Sequence, residues 1–500
     1  MSVLAIDAGT TGVTALVIRP DGTVAGRGYQ EFRQYYPQPG WVEHLPEGIW
    51  QATLAACAMA TERAGAGAAG PADADAVTCI GITNQRETAV IWDRATLTAP
   101  RRAIVWQDRR SAGLCQRLRD AGHEPRITEL TGLRLDPYFT GTKLTWLAEN
   151  DAELWSGVED GSLAVGTVDS YLIARMSGGR RHVTDASNAS RTLLFDISAG
   201  QWSAELCELL RVPPHALPEV VPSWGAEGHT DPMAFLGLSV PVAGIAGDQQ
   251  AALFGQACFA AGDTKCTYGT GAFLVLNTGK RILRSANRLL STIAYQLGGE
   301  VTYALEGSIL SAGSTIQWLR DGLGLFSRTS EVESLARTVE GTGGVYLVPG
   351  FTGLGAPYWD PDARGSIVGL SRASGRAELA RAGIDCVVYQ TRDLLDAMAA
   401  DGLKPALLKV DGGMAQNGLF LQRLADILGL RILRPKMAES TAFGAACLAA
   451  IGHGVYRSLQ EIAALWKPDL QCEPVLEASL QQQQIAGWHE AVRRTRTYQA

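Results

Sequence analysis

A short apolar strand, a turn of glycine and threonine, and a second apolar strand occur twice in this 500-residue chain. The first unit spans 3–18 around Gly9-Thr10-Thr11-Gly12, and the second spans 264–276 around Gly269-Thr270-Gly271. Each pattern predicts a β-hairpin, because runs of strand length flank a turn in which glycine accepts unusual backbone angles. A unit that opens each half of the chain predicts two domains of similar architecture.

The length also favours two domains, since 500 residues exceed what one hydrophobic core usually holds. Small residues cluster at 255–262, so we predict domains at 1–254 and 255–500. Apolar runs predict further strands at 77–82, 242–247 and 406–410, and helical periodicity predicts helices at 47–64, 312–323 and 378–400. The glycine- and alanine-rich stretch 65–76 is predicted to be a surface loop.

Composition excludes several classes of protein. Hydrophobic residues make up 46% of the chain and charged residues 19%, which is typical of a packed protein rather than a disordered one. The net charge is −7 without any lysine- or arginine-rich run, so we expect neither nucleic acid nor an anionic membrane as partner. The longest apolar stretch, 236–262, is interrupted by Pro241 and Asp248, which argues against a membrane span.

The nine cysteines show no C-x-x-C pair and no spacing suited to zinc. We therefore expect them to be buried thiols in a reducing compartment. The first residues enter a strand pattern without the features of a signal peptide, and we expect a cytoplasmic protein.

Three glycine-lined turns follow predicted strands and suit the binding of phosphate. Glycine lets backbone N–H groups approach an anion, and threonine hydroxyls add donors. Asp7, at the end of the first strand, is suited to hold Mg²⁺ through water, although a plain hairpin turn is the alternative for this loop. Gly269-Thr270-Gly271 supplies a second turn, and Asp411-Gly412-Gly413 with Asn417 supplies a third. Together they predict an α/β fold of two ribonuclease-H-like domains, of the actin/Hsp70 ATPase type, with an active-site cleft between them.

Longer motifs identify a family. The chain resembles the FGGY carbohydrate kinases, and among them the glycerol kinase branch, over about 5–455. The resemblance lies in GITNQRET at 81–88, IVWQDRR at 104–110, DPYFTGTKL at 136–144, TDASNASRTLL at 184–194, GIAGDQQAALFG at 244–255, GLGAPYW at 353–359 and YQTRD at 389–393.

The resemblance implies transfer of the γ-phosphate of ATP to glycerol, giving sn-glycerol 3-phosphate, with Asp248 as general base and Asp7 and Asp248 near Mg²⁺. It places the acceptor against Arg86, Glu87, Trp106, Tyr138, Asp248, Gln249 and Phe273. It places the nucleotide near Thr10, Thr11, Gly12, Thr270, Gly313, Gln317, Gly413 and Asn417. The residue types agree with these roles, because a triol needs charged hydrogen-bond partners and an apolar wall.

Taken singly, most of these residues have a structural interpretation. Trp106 or Phe273 alone would be core, and Arg86 beside Glu87 would be a surface ion pair. The presence of the whole set in the expected order favours the functional interpretation. The first loop departs from the family, since Val13 and Thr14 replace a serine and an arginine that would reach the nucleotide phosphates.

Two alternative functions remain open from the sequence. One is an FGGY kinase of another small polyol or ketose, such as erythritol, a pentitol or xylulose. The other, from a different class, is an actin- or Hsp70-like nucleotide switch, in which the acceptor residues would have no role. The resemblance also implies a homodimer or homotetramer.

Overall fold

The computed structural model describes residues 1–65, 76–225 and 228–497. The predicted surface loop at 65–76 therefore lies almost wholly outside the described residues. Within them, no helix combines the length and the apolar character that a membrane crossing requires. All nine cysteine side chains are buried and unpaired.

The elements of the first half, in chain order, are β1 Ser2–Ala8, β2 Gly12–Ile18, β3 Val24–Glu31, β4 Gln34–Tyr35, β5 Glu43–His44, α1 Pro46–Ala64, β6 Val77–Asn84, β7 Val90–Asp93, β8 Ala103–Ile104, α2 Ala112–Asp120, α3 Glu124–Thr131, α4 Thr140–Asn150, α5 Ala152–Glu159, β9 Leu163–Gly166, α6 Val168–Met176, β10 Val183–Asp185, α7 Ala186–Ala189, β11 Phe195–Asp196, β12 Gln201–Trp202, α8 Ala204–Leu209, β13 Glu219–Val221, β14 Val242–Gly247 and α9 Asp248–Gly255. A 3₁₀ helix lies at Pro214–Ala216.

Those of the second half are β15 Thr264–Tyr268, β16 Ala272–Gly279, β17 Leu290–Leu297, β18 Glu300–Ile309, α10 Gly313–Asp321, α11 Glu331–Ala336, β19 Tyr346–Val348, β20 Ser366–Val368, α12 Arg376–Ala400, β21 Leu407–Asp411, α13 Gly418–Leu428, β22 Arg431–Pro435, α14 Ser440–Gly452, α15 Leu459–Leu465, β23 Pro468–Cys472 and α16 Ala478–Thr495. A 3₁₀ helix lies at Gly413–Gln416. Both predicted hairpins and the predicted strands and helices are confirmed, with shifts of a few residues at their ends.

Each half is built on one large sheet, and the two sheets share a strand order. The first runs β14-β6-β1-β2-β3, and the second contains β18-β16-β15-β21-β22 with β17 and β23 added at its edges. In both sheets, the two strands of the hairpin pair antiparallel with each other, and the second of them pairs antiparallel with its other neighbour in the sheet. On the other side of the hairpin, two strands run parallel to its first strand. This repeat confirms the predicted duplicated α/β architecture.

The first sheet is covered by a helix from each half of the chain. Since side chains alternate between the faces of a strand, Leu4 and Ile6 pack on α1, while Val3 and Ala5 pack in a cluster with α14. Asp7 follows Val3 and Ala5 at the same two-residue spacing, so its side chain lies on the face of the sheet that packs against α14 of the second half.

Helices α9 and α14 occupy equivalent positions, because α9 follows β14 and α14 follows β22, the equivalent strand of the second sheet. The two helices cross each other at glycine residues. A Cβ atom on Gly444 would lie 1.8 Å from the carbonyl oxygen of Ala251, and one on Gly255 would lie 2.2 Å from that of Ser440. The helices are thus in backbone contact, which fixes the two halves against each other at this point.

We therefore expect Gly444→Ala to destabilise the protein, because the added methyl meets a main-chain carbonyl that cannot rotate away. Overpacking of this kind typically costs about 1–3 kcal/mol. Gly113→Ala is the matched control, because Gly113 is also helical and nothing lies within 4 Å of its Cβ position. Thermal unfolding of both variants tests this, and equal midpoints would contradict it.

Candidate active site

Arg86 and Asp248 meet at the edge where parallel strands end. Strands β6 and β14 pair in parallel with Asn84 opposite Gly247, so the residues that follow both strands emerge side by side. The Nε atom of Arg86 lies 3.0 Å from Oδ1 of Asp248. The Arg86 side chain is 2% exposed and that of Asp248 is 28% exposed, so the carboxylate is the more accessible member of the pair.

A second carboxylate, from the other half of the chain, holds the remaining nitrogens of Arg86. Glu306 of β18 accepts from Arg86 Nη1 at 2.5 Å and from Nη2 at 3.2 Å. It also accepts from Nη2 of Arg191 at 2.8 Å. Burial raises the pKa of Glu306, but the two guanidinium groups outweigh it and lower this pKa to about 2. Glu306 is therefore an anion that joins the halves through two buried cations.

Glu87 completes this buried charge network. Its Oε1 accepts from Arg191 Nε at 2.7 Å, and its backbone oxygen accepts from the Thr140 hydroxyl at 3.1 Å. Burial raises the pKa of its carboxyl group, although the charges of Arg86 and Arg191 oppose the rise. Its φ of 61° is left-handed and costly for a residue with a side chain. Strain of this kind is retained mostly where function needs the side chain in one place.

Three aromatic rings form an apolar wall beside the Arg86–Asp248 pair. The ring centroid of Trp106 lies 5.6 Å from that of Tyr138 and 6.1 Å from that of Phe273, and Phe273 belongs to the second half. The guanidinium carbon of Arg86 lies 5.8 Å from the Phe273 centroid and its Nη2 donates to the Tyr138 hydroxyl at 3.4 Å. All the predicted acceptor residues named so far thus form one cluster with charged groups on one side and rings on the other.

Trp106 also connects this pocket to the first glycine loop, since its Nε1 donates to the hydroxyl of Thr10 at 3.0 Å. Thr11 is exposed in the same loop. A Cβ atom on Gly12 would lie 2.8 Å from the Tyr29 hydroxyl and from a backbone oxygen, so the close packing there requires glycine.

The second and third loops meet at the start of α10. The backbone nitrogen of Gly313 donates to Gly269 at 3.0 Å and that of Ser314 donates to Thr270 at 3.1 Å. Gly412, with a φ of 89°, packs so closely on Tyr268 that a Cβ atom would lie 2.4 Å from its oxygen. The predicted nucleotide residues of this half, Thr270, Gly313, Gln317, Gly413 and Asn417, therefore lie on adjoining elements. Of these, Thr270, Gln317 and Gly413 are exposed, while the side-chain oxygen of Asn417 caps α13.

The first loop and α9 supply two carboxylates that suit a divalent cation. Burial and the nearby negative charges of Asp248 and Glu439 raise the pKa of Asp7 to about 8. The buried hydroxyl of Thr83, directly beside Asp7 in the sheet, has no hydrogen-bond partner among the described residues. Within those residues no group of three or more acidic, histidine or cysteine side chains is arranged to hold a metal directly. This donor set fits Mg²⁺ that keeps most of its water.

The structure corrects one part of the sequence interpretation. Val13 is fully buried in the core beneath the first sheet, so this position cannot reach a nucleotide. Thr14 points to the opposite face, where it is half-buried and pairs with Asp7 across the hairpin. Of the two positions that depart from the family pattern, only Thr14 therefore lies on the side of the cleft.

Sequence reasoning missed three charged residues of the site: Arg191, Glu306 and Lys265. Arg191 lies within a quoted motif but was given no role. Glu306 did carry a signal, since it directly follows the apolar residues 303–305 within β18, and the structure shows it fully buried.

We expect Glu306→Gln to lower the free energy of unfolding at neutral pH, because two buried guanidinium groups lose a shared anion. A carboxyl pKa depressed from 4.5 to about 2 corresponds to a contribution on the order of 3 kcal/mol. Because the folded pKa is the lower one, this contribution is present above about pH 4.5 and is lost as the pH falls toward 2. The difference in the free energy of unfolding between the variant and the natural protein, measured by denaturant titrations, should therefore narrow as the pH falls from about 4.5 to about 2.

Glu300→Gln is the matched control, since Glu300 lies on the same strand in an exposed ion pair with Lys280. Exposed pairs typically contribute about 0–1 kcal/mol. If both variants unfolded alike at neutral pH, the stabilising role of Glu306 would be disproved.

Comparisons with known proteins cover nearly the whole chain. Residues 2–255 match the N-terminal domain model of the FGGY family of carbohydrate kinases, and residues 264–453 match its C-terminal domain model. The chain is 52% identical to the glycerol kinase of Methylobacterium nodulans, with 98% of this chain and 97% of that protein covered. It is also 52% identical to the glycerol kinase of Alcanivorax borkumensis, with 98% of each covered.

Among solved structures, glycerol kinase from Plasmodium falciparum with ADP is 32% identical, with a TM-score of 0.90 over 100% of this chain and 99% of that one. Xylulose kinase from Lactobacillus acidophilus, 20% identical with a TM-score of 0.86 over 99% and 98% of the chains, shares the fold. The predicted two-domain α/β fold is confirmed, and the chain belongs to the FGGY family of carbohydrate kinases.

Proposed function

We propose that this protein transfers the γ-phosphate of ATP to a terminal hydroxyl of glycerol, giving ADP and sn-glycerol 3-phosphate. The observation that carries the proposal is 52% identity to proteins named glycerol kinase over 98% of the chain. The pocket supports it, because a small triol needs several polar partners beside an apolar wall. An actin-like switch would give the Arg86–Asp248 pair and its aromatic wall no task.

The chemical step follows from the position of Asp248. Its partly exposed carboxylate accepts the proton of the attacking hydroxyl as that oxygen bonds to the γ-phosphorus, and the bond to the β-phosphate oxygen breaks to release ADP. Arg86 fixes the carboxylate by its 3.0 Å contact and is itself fixed by Glu306. Orientation of this kind places the base without a conformational search.

The acceptor residues surround the reacting hydroxyl. Arg86 donates to glycerol oxygens and Glu87 accepts from its hydroxyls, while Trp106 and Phe273 cover its carbon side. Because Phe273 and Glu306 come from the second half, the pocket is complete only when the halves are closed, which keeps water from competing for the phosphate.

Thr10, Thr11, Gly12 and Thr270 are proposed to contact the phosphates, and Gly313, Gln317, Gly413 and Asn417 the ribose and adenine. Asp7 and Asp248 would hold hydrated Mg²⁺, which when bound with ATP offsets part of the phosphate charge. Burial of Asp7 and the nearby carboxylates of Asp248 and Glu439, which together raise its pKa, support this assignment.

Three further properties are proposed, the first and the last on the sequence patterns described above and the second on the family resemblance. They are a division into units 1–254 and 255–500, a homodimeric or homotetrameric assembly, and a cytoplasmic location. Sedimentation of the purified protein tests the assembly.

A coupled ADP-release assay tests the proposed acceptor directly. Glycerol should give the highest kcat/KM in a panel with erythritol, xylitol, dihydroxyacetone and xylulose. If a tetritol, pentitol or ketose gave a higher kcat/KM, that compound rather than glycerol would be the acceptor. If the protein hydrolysed ATP at a rate that no polyol changed, the nucleotide switch would be supported instead.

We expect Asp248→Asn to lower kcat by about 10²–10⁴, because the amide keeps the shape but cannot accept the hydroxyl proton. Asp263→Asn is the control, since the Asp263 carboxylate accepts from the backbone nitrogen of Ala260 at 2.9 Å in the loop before β15. Steady-state kinetics at saturating ATP and glycerol measure both. Near-normal turnover of Asp248→Asn would remove this residue as the base.

A further inference from the structure

Lys265 is a buried lysine in the cleft whose task the proposed reaction leaves open. It belongs to β15 of the second half and is completely buried. Its Nζ donates to Oε1 of Gln249 at 2.5 Å and to the hydroxyl of Thr267 at 2.9 Å. Since Gln249 belongs to α9 of the first half, the first of these hydrogen bonds crosses between the halves.

This hydrogen bond determines which way the Gln249 amide faces. A lysine ammonium has only donor hydrogens, so the atom that meets it must be the amide oxygen. The nitrogen Nε2 then faces away from Lys265. Gln249 directly follows Asp248, is 6% exposed, and within the described part of the chain its Nε2 has no hydrogen-bond partner. The amide hydrogens are thus available to a bound molecule beside the base.

We propose that Lys265 is a positioning residue that holds the Gln249 amide with its NH₂ group toward the acceptor pocket. The pocket then presents a donor at this place and selects acceptors that carry a hydroxyl or carbonyl oxygen there. This inference rests on the proposed function, because Gln249 is assigned to the acceptor. It adds that the donor is set by the second half, so acceptor selection requires the halves to be closed.

Two other tasks for Lys265 give different outcomes. Lys265 could bind a nucleotide phosphate directly, or it could only balance the charge of Asp411 in the same half. Asp411 is 5% exposed and one of its oxygens is held by the Gln256 side chain at 2.8 Å. Neither task would act through Gln249.

A double-mutant cycle separates these tasks. Lys265→Met should raise the KM for glycerol about tenfold, as loss of an oriented hydrogen bond does, while the KM for ATP stays nearly unchanged. In a Gln249→Leu background, Lys265→Met should add little, because the group it orients is already gone. A rise in the KM for ATP would overturn the proposal. It would also be overturned if the double variant raised the KM for glycerol by the product of the two single-variant factors.

Lys409→Met is the matched control. Lys409 lies directly opposite Lys265 on β21, donates to the backbone oxygens of Gln256 and Ala257 at 2.6 and 3.2 Å, and its Nζ lies 4.4 Å from the ring centroid of Trp466. Its replacement should leave the KM for glycerol unchanged. An equal rise in both lysine variants would show a general effect on the sheet and would overturn the proposal.

Gln249→Glu tests the same inference if Lys265→Met fails to fold. The carboxylate keeps an oxygen for Lys265 but offers no donor, so the protein should stay folded while the KM for glycerol rises. Unchanged glycerol binding would overturn the proposal. The cycle is measured with whichever acceptor of the polyol panel the natural protein prefers, so failure of the glycerol assignment and failure of the Lys265 assignment are distinguishable.

Discussion

The crossing of α9 and α14 is the contact on which the geometry of this molecule depends. Gly255 and Gly444 let the two helices touch through their backbones, and Gly81 lets α14 approach the first sheet so closely that a Cβ atom there would lie 2.1 Å from the carbonyl oxygen of Ala445. Because α9 begins at Asp248, the same crossing sets the distance between Asp248 and the second half. Backbone contacts of this kind leave little freedom for side chains to relax.

The buried charges act on this rigid frame. Two arginines and two glutamates out of contact with water carry a large desolvation cost, which their mutual hydrogen bonds offset. Such a network is weak evidence for stability as such, but it leaves each guanidinium in one orientation. Arg86 therefore reaches Asp248 with one nitrogen while the others are held by Glu306, so the contact with Asp248 depends on the meeting of the halves.

Sequence patterns predicted the hairpins, the duplicated sheets and the place of Asp248, because strand alternation, glycine turns and helical periodicity are local signals. They did not predict the Arg86–Glu306 contact, since these residues are 220 positions apart and only the packed sheets bring them together. The error at Val13 was avoidable. Val13 alternates with Thr14 in β2, so one of the two had to face the core.

The duplicated hairpins have become electrically different. When Gly9 is placed on Gly269, Asp7 corresponds to Thr267 and Ala5 to Lys265. One hairpin thus contributes a carboxyl group to the cleft where its copy contributes a hydroxyl, and the copy contributes a lysine amino group where the original has a methyl group. The pseudo-symmetry of the backbone is therefore broken by charge. A ligand turned end for end in the cleft would meet different chemical groups on each wall, which gives the cleft a polarity that its fold alone does not possess.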